Sequence, residues 1–120
     1  MLIKLLQLAL TSLALSCSGN SADKECPGRL SSWANLSEEL PHAAVINRVA
    51  VRHGNGLFWN GVRVSEEQLS GYLERVASMS PRPYIVLSHD AAADCELVRR
   101  VRAMIDRTQQ CTRDLCAEAT

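Results

Sequence analysis

Residues 56–73 read Gly-Leu-Phe-Trp-Asn-Gly-Val-Arg-Val-Ser-Glu-Glu-Gln-Leu-Ser-Gly-Tyr-Leu, and this stretch decides the fold. Asn60-Gly61 is the strongest short turn signal, because both residue types tolerate positive φ, and the apolar residues on either side predict a hairpin. Ser65 and Gln68 have the spacing of a capping box, in which each side chain bonds to the backbone N–H of the other. The stretch therefore predicts a strand, a tight turn, a short strand and the start of a helix.

The helix that begins here has one apolar face, and a second strand and helix follow it. The apolar face repeats at helical spacing: Leu69, Tyr72, Leu73 and Val76. We expect this helix to end near Met79, ahead of Pro81. Residues 84–88 are almost continuously apolar, which is typical of a central strand, and residues 91–109 have the apolar spacing of a second helix.

The chain before the hairpin supplies a further strand. Residues 43–52 are rich in valine, and Val49 and Val51 share one face while Arg48 and Arg52 occupy the other, which predicts a half-buried strand. Together with the hairpin this strand makes a meander. The predicted fold class is therefore α+β: a small mixed sheet, formed by an N-terminal β-meander and one central strand, with two helices packed on it.

The N-terminus has the features of a bacterial secretory signal peptide. Lys4 is the only charge before Asp23, and residues 5–15 form an apolar run too short to cross a bilayer. Residues 13–17, Leu-Ala-Leu-Ser-Cys, resemble the lipobox of bacterial lipoproteins, in which the cysteine becomes the lipidated first residue. We therefore predict lipidation at Cys17 and export to the periplasmic side of a bacterial membrane. The alternatives are a soluble periplasmic protein after ordinary cleavage and an uncleaved anchor.

The sequence divides into three parts on this interpretation. Residues 1–16 are the signal peptide. Residues 17–43 begin with small and polar side chains and are predicted to be a tether and an N-terminal arm. Residues 44–120 hold the predicted strands and helices and suit one small domain. The chain has 13 basic and 13 acidic residues, which argues against a nucleic-acid binder, since such domains are usually clearly basic.

Assigning Cys17 to lipid leaves an even number of cysteines: Cys26, Cys95, Cys111 and Cys116. In an oxidising compartment this predicts two disulfides, with three connectivities to choose from. A bond from Cys95 to Cys111 or Cys116 would join the last helix to residues 110–120, a tail that we expect to be a short helix or a cystine loop. A bond from Cys26 would hold the N-terminal arm. Neither a C-x-x-C redox pair nor a zinc spacing is present.

Two clusters are candidates for function. Arg99, Arg100 and Arg102 suit contact with an anionic cell-wall polymer or with lipid head groups, and the alternative is an ordinary solvated helix face. Phe58 and Trp59 suit a partner-binding surface, and the alternative is that they anchor the core.

Nothing in the sequence predicts catalysis. His89-Asp90 has the residue types of a general base and its orienting carboxylate, but no Ser or Cys nucleophile is visibly paired with it, and a loop and helix cap explain it equally well. His42, His53 and His89 lack metal-ligand spacing. We therefore predict no catalytic residue, metal, cofactor or small-molecule substrate.

Two segments resemble the periplasmic domain of the ExbD/TolR family. One is the hairpin and helix of residues 56–73, and the other is residues 83–90, Pro-Tyr-Ile-Val-Leu-Ser-His-Asp, which is similar to the family's proline, apolar strand and aspartate. The positions that match the family pattern, from the turn to the end of the central strand, are Asn60, Gly61, Leu69, Leu73 and Asp90. The resemblance covers residues 44–107.

The resemblance implies a non-enzymatic role in envelope transport or envelope integrity. The expected partner is an envelope protein or a second copy of the chain, bound by dimerisation or by strand addition at an exposed sheet edge. Two differences from the family pattern limit the role that the resemblance implies. Family members carry a proton-coupling Asp in a transmembrane helix, and here no carboxylate precedes Asp23. The family usually ends on a further strand, where residues 111–116 predict a cystine-bearing tail. The alternative is a stand-alone structural or inhibitor-like lipoprotein.

Overall fold

The computed structural model describes residues 26–35 and 45–119, and Cys17 and the predicted signal peptide lie outside the described residues. The described ranges contain six strands and two helices, which in chain order are β1 (Ala34–Asn35), β2 (Ile46–Arg52), β3 (Gly56–Trp59), β4 (Val62–Arg63), α1 (Glu66–Ala77), β5 (Tyr84–His89), α2 (Cys95–Gln109) and β6 (Cys116–Glu118). The predicted α+β class is confirmed.

The six strands form one mixed sheet in the order β1-β6-β5-β2-β3-β4. The strands β2, β5, β6 and β1 are parallel to one another, and β2, β3 and β4 form the predicted antiparallel meander. The hairpin turn is at Asn60 and Gly61, with φ of 51° and 86°. The Asn60 side chain joins this turn to β2, because its Oδ1 accepts from the Arg48 N–H at 2.7 Å and its Nδ2 donates to Asn47 Oδ1 at 2.9 Å.

Both helices pack on the same face of the sheet. Successive strand side chains point to opposite faces, so Val49 and Val51 of β2 and Ile85 and Leu87 of β5 form the floor of the main core. The helix residues buried on this floor are Leu69, Leu73, Val76, Leu97, Val98, Val101 and Ile105. The opposite face carries a smaller buried cluster of Ala34, Tyr84, Val86 and Ala117, with Ile46 packed beside it.

The helix starts follow local capping chemistry. Ser65 Oγ accepts from the Gln68 N–H at 3.0 Å and Gln68 Oε1 accepts from the Ser65 N–H at 2.9 Å, so the predicted capping box is present. The helix α1 ends at Ala77, two residues before the predicted end. The helix α2 begins at Cys95 and not at residue 91, because Asp94 takes the cap position and its carboxylate accepts from the Glu96 N–H.

The tail contains one of the two predicted structures and, in addition, a strand that was not predicted. The Cys111–Cys116 disulfide closes a cystine loop. Residues 116–118 then form β6, which pairs in parallel with β5 on one side and with β1 on the other. Cys116, Ala117 and Glu118 are all buried. The tail joins the sheet because β5 offers an unpaired edge whose backbone groups would otherwise lack partners.

Two disulfides are present, as predicted, and they link Cys26 to Cys95 and Cys111 to Cys116. The alternative bond from Cys95 to Cys111 or Cys116 does not form. The reason is distance along α2. Cys95 is the first residue of this 15-residue helix, which is about 22 Å long, and Cys111 and Cys116 lie beyond its other end.

Candidate interaction site

Phe58 and Trp59 do not form one partner surface. They are consecutive residues of β3, so their side chains lie on opposite faces of the sheet. Trp59 packs against the main core on the helix side. Phe58 lies on the other face, where the Arg52 guanidinium sits 5.5 Å from its ring centroid. The predicted pair therefore divides between two separate surfaces.

Trp59 lines an apolar groove of about 310 Å³ between the C-terminal half of α1 and the start of β2. We call this the aromatic groove. Its lining residues are Val45, Asn47, Trp59, Tyr72, Arg75, Val76, Met79 and Pro83. The volume is at the lower end of the range for small-ligand pockets, which run from about 300 to 1,000 Å³. A cleft of this size accommodates one large apolar side chain.

Stacked aromatic rings form one wall of the aromatic groove. The Trp59 and Tyr72 rings are 5.4 Å apart between centroids and 12° from parallel. Arg75 lies over the other part of this wall, with its guanidinium carbon 5.8 Å from the Tyr72 centroid. Stacking and cation–π contacts of this kind hold the wall in place before any partner arrives.

The opening of the groove is apolar and exposed. Val45 and Met79 are 66% and 48% exposed, and Val62, beside Trp59 on β4, is 65% exposed. Val45, Val62 and Met79 are the large hydrophobic residues with the greatest exposure in the described part of the chain. Val45 and Met79 line the groove and Val62 neighbours its Trp59. Exposed apolar residues that lie together in this way indicate a contact surface, whereas single ones need no explanation.

Arg75 supplies the positive charge of the groove. It has no carboxylate within ion-pair distance among the described residues. Asn47, which also lines the groove, accepts from Asn60 through its Oδ1. An apolar side chain next to a carboxylate would satisfy both kinds of surface, because the body packs on the rings and the acid bonds to Arg75.

The arginine cluster predicted on α2 does not form a basic surface, because each of its members is paired. Arg99 bonds to Glu96 at 2.6 Å and Arg100 bonds to Glu66 at 2.9 Å. The hydrogen bond from Arg100 lowers the pKa of the Glu66 carboxyl, and the same bond raises the pKa of Arg100. The prediction that these arginines meet an anionic partner is not supported by this arrangement.

The prediction that Arg102 lies on a partner surface was wrong, because Arg102 is 3% exposed and lies in the interior. Its guanidinium makes two bonds to the Glu118 carboxylate, at 2.9 and 2.6 Å, and further bonds to the backbone carbonyls of Cys26 and Pro27. The spacing contained a signal for this position. Arg102 follows Val98 by four residues, which places both on the same helix face.

The side chains of His89 and Asp90 have different partners. His89 Nε2 lies 3.7 Å from Glu118 Oε2 inside the core. The Asp90 carboxylate instead accepts from the backbone N–H groups of His53 and Ala92, at 3.1 and 3.2 Å. It thus ties the β2–β3 turn to the β5–α2 loop. His42 lies outside the described residues.

The residues of the groove other than Trp59 were not predicted as a site. A signal was present on α1, where Tyr72 and Arg75 are three residues apart and so share one stripe of the helix, with Met79 just beyond its end. The described residues contain no group of three or more metal-ligating side chains. No helix in the described ranges is long and apolar enough to span a bilayer. Neither a protein-family model nor a curated protein matches this sequence.

Proposed function

We propose that this chain is a non-enzymatic, lipid-anchored module on the periplasmic side of a bacterial membrane, similar to the ExbD/TolR periplasmic domain, which binds a protein partner through the aromatic groove. The partner is an envelope protein or a second copy of the chain. The resemblance covers residues 44–107, so the proposed role is contact within the envelope and does not include motor coupling.

The aromatic groove is the observation that carries this proposal. It combines a preformed Trp59–Tyr72 wall with exposed Val45, Val62 and Met79, and it lies beside β4, which is an edge of the sheet in the described part of the chain. Aromatic residues in a cleft are the usual anchors of protein interfaces. The occupant that fits best is an apolar side chain flanked by a carboxylate, because none of the described carboxylates pairs with Arg75 at the rim.

The order of elements also supports the family resemblance. The strand after α2, which the sequence did not predict, is present as β6, and the family usually has such a strand. The two disulfides support an oxidising compartment, since disulfides persist mainly in exported proteins. Both features favour the periplasmic proposal over a cytoplasmic one.

Chemical cross-linking of the full-length protein in its native membrane tests the proposal. The variant is Met79→Asp, which places a charge at the mouth of the groove, and the matched control is Ala103→Asp, on an exposed part of α2. We expect wild type and Ala103→Asp to give the same cross-linked product, and Met79→Asp to give about tenfold less, because a charge buried in an apolar contact is strongly unfavourable.

Equal cross-linking by both variants would exclude the groove as the contact. A chain that stays strictly monomeric and contacts no envelope component would contradict the proposal as a whole and favour the stand-alone lipoprotein. Intact mass of the purified native protein tests the anchor separately, because lipidation at Cys17 and cleavage before it each change the mass in a known way.

A further inference from the structure

Three arginines surround Phe58 on the sheet face that points away from the helices. Arg63 lies directly opposite Phe58 in the β3–β4 pair, and the Arg52 guanidinium is 5.5 Å from the Phe58 ring centroid. Arg48 is on the same face of β2, two residues before Ala50, which is the β2 partner of Phe58. We call Arg48, Arg52, Phe58 and Arg63 the arginine face.

Arg48, Arg52 and Arg63 are exposed, and none of them has an acidic partner in the described part of the chain. No described carboxylate lies within ion-pair distance of any of them. The described strand residues on this face include no Asp or Glu, since the remaining positions are Ala, Ile, Gly, Tyr, Val and Ser. In a chain with balanced charge, this face concentrates positive charge.

The arginines of α2 differ from those of the arginine face in their partners. Arg99, Arg100 and Arg102 are each neutralised by a glutamate of this chain. No glutamate of the described ranges pairs with the arginines of the sheet face, so these arginines suit an anionic ligand. Phe58 lies among these arginines and is only half-buried. Part of its apolar side chain is therefore exposed next to positive charge.

We propose that the arginine face binds the surface of an anionic phospholipid bilayer, with Arg48, Arg52 and Arg63 on lipid phosphates and the Phe58 ring at the head-group boundary. Guanidinium groups bind phosphate oxygens bidentately, and each basic residue near an anionic surface strengthens binding by about fivefold. Amphipathic helices that lie in a membrane interface likewise combine basic side chains with Trp, Phe or Leu. This inference goes beyond the protein contact at the aromatic groove.

Hydroxyl-radical footprinting of Phe58 tests the proposal on the full-length protein in vesicles. The vesicles contain phosphatidylcholine alone, or phosphatidylcholine with phosphatidylglycerol at about three to one. We expect oxidation of Phe58 to fall several-fold in the anionic vesicles only, and to recover in high salt because surface charge is then screened. Free glycerol phosphate, added to the neutral vesicles, gives no protection.

Two triple variants separate the arginine face from net charge. Arg48→Gln/Arg52→Gln/Arg63→Gln removes three charges from the face, and we expect it to abolish the protection. Arg29→Gln/Arg99→Gln/Arg107→Gln removes three exposed charges elsewhere, and we expect protection of Phe58 to remain. Far-ultraviolet circular dichroism establishes that both variants are folded.

Equal oxidation of Phe58 in neutral and anionic vesicles would overturn the proposal, and so would equal loss of protection in the two triple variants. Protection by free glycerol phosphate would reassign the face to a soluble phosphate compound. If the purified chain carries no lipid, co-sedimentation with the same vesicles replaces reconstitution, so failure of the anchor leaves this test intact.

Discussion

The two disulfides close loops of very different length, and removing them one at a time tests what holds the N-terminal arm. Cys26–Cys95 spans 69 positions of sequence and Cys111–Cys116 spans 5. Loop-closure entropy predicts about 4.4 kcal/mol of stabilisation from the first bond and about 2.2 kcal/mol from the second at 25 °C. The difference of about 2.2 kcal/mol is a measurable fraction of the total stability of about 5–15 kcal/mol that is usual for a domain.

The assay is urea unfolding of the full-length protein, followed by tryptophan fluorescence. One variant is Cys26→Ala/Cys95→Ala, and the matched control is Cys111→Ala/Cys116→Ala, which removes the same two sulfur atoms from a short loop. We expect the first variant to lose about twice as much free energy of unfolding as the second. In a thermal scan this corresponds to a lowering of the melting temperature by about 20 °C or more, against about 10 °C or more.

Other contacts of the arm limit the free energy of unfolding that the Cys26→Ala/Cys95→Ala variant loses. The Trp33 indole N–H donates to Asp106 Oδ1 at 3.1 Å, and the carbonyls of Cys26 and Pro27 accept from Arg102. These bonds remain available in the variant, so the sheet should still fold. Equal losses in the two variants, or a larger loss from the short loop, would refute the loop-closure reasoning. Serine versions of both variants control for the buried volume of the removed sulfur atoms.

Two further predictions concern charged pairs. Arg102→Met leaves Glu118 buried without its partner, so we expect a loss of about 3–5 kcal/mol in urea unfolding, whereas the double variant Arg102→Met/Glu118→Met recovers much of it; a double variant no more stable than the single one would contradict this. The second uses the lowered pKa of Glu66, which means that its bond to Arg100 stabilises the fold above the ordinary pKa of Glu and is lost as the pH falls through the lowered value. The difference in melting temperature between wild type and Glu66→Gln should therefore shrink on acidification from about pH 7 to about pH 3, and a constant difference would be the opposing result.

The elements predicted correctly are those whose signals are local. The Ser65 capping box and the Asn60-Gly61 turn each depend on residues at most three positions apart, so the sequence alone specifies their hydrogen bonds. The core strand β5 is predictable for a related reason, because a run of buried apolar residues needs no knowledge of its neighbours.

The features that were missed depend on contacts between distant parts of the chain. The strand β6 has only three residues, one of them Glu118, and shows no alternation; it is a strand because β5 and β1 pair with it. Arg102 looks like a surface residue until Glu118 and two arm carbonyls are placed beside it. The split of Phe58 from Trp59, in contrast, follows from strand geometry and was predictable from the assignment of β3.

The fold separates stability from interaction. The arm, α2 and β6 meet around the Arg102 guanidinium, the Cys26–Cys95 bond and the β1–β6 pair, at one edge of the sheet. The aromatic groove and the arginine face belong to β2, β3, β4 and α1, towards the other edge, and they occupy opposite faces of it. Substitutions at sites that share no contacts usually have additive effects. Variants of the groove and of the arginine face should therefore change binding without weakening the contacts between the arm, α2 and β6. A groove variant that unfolds the arm would show that the two edges of the sheet are coupled.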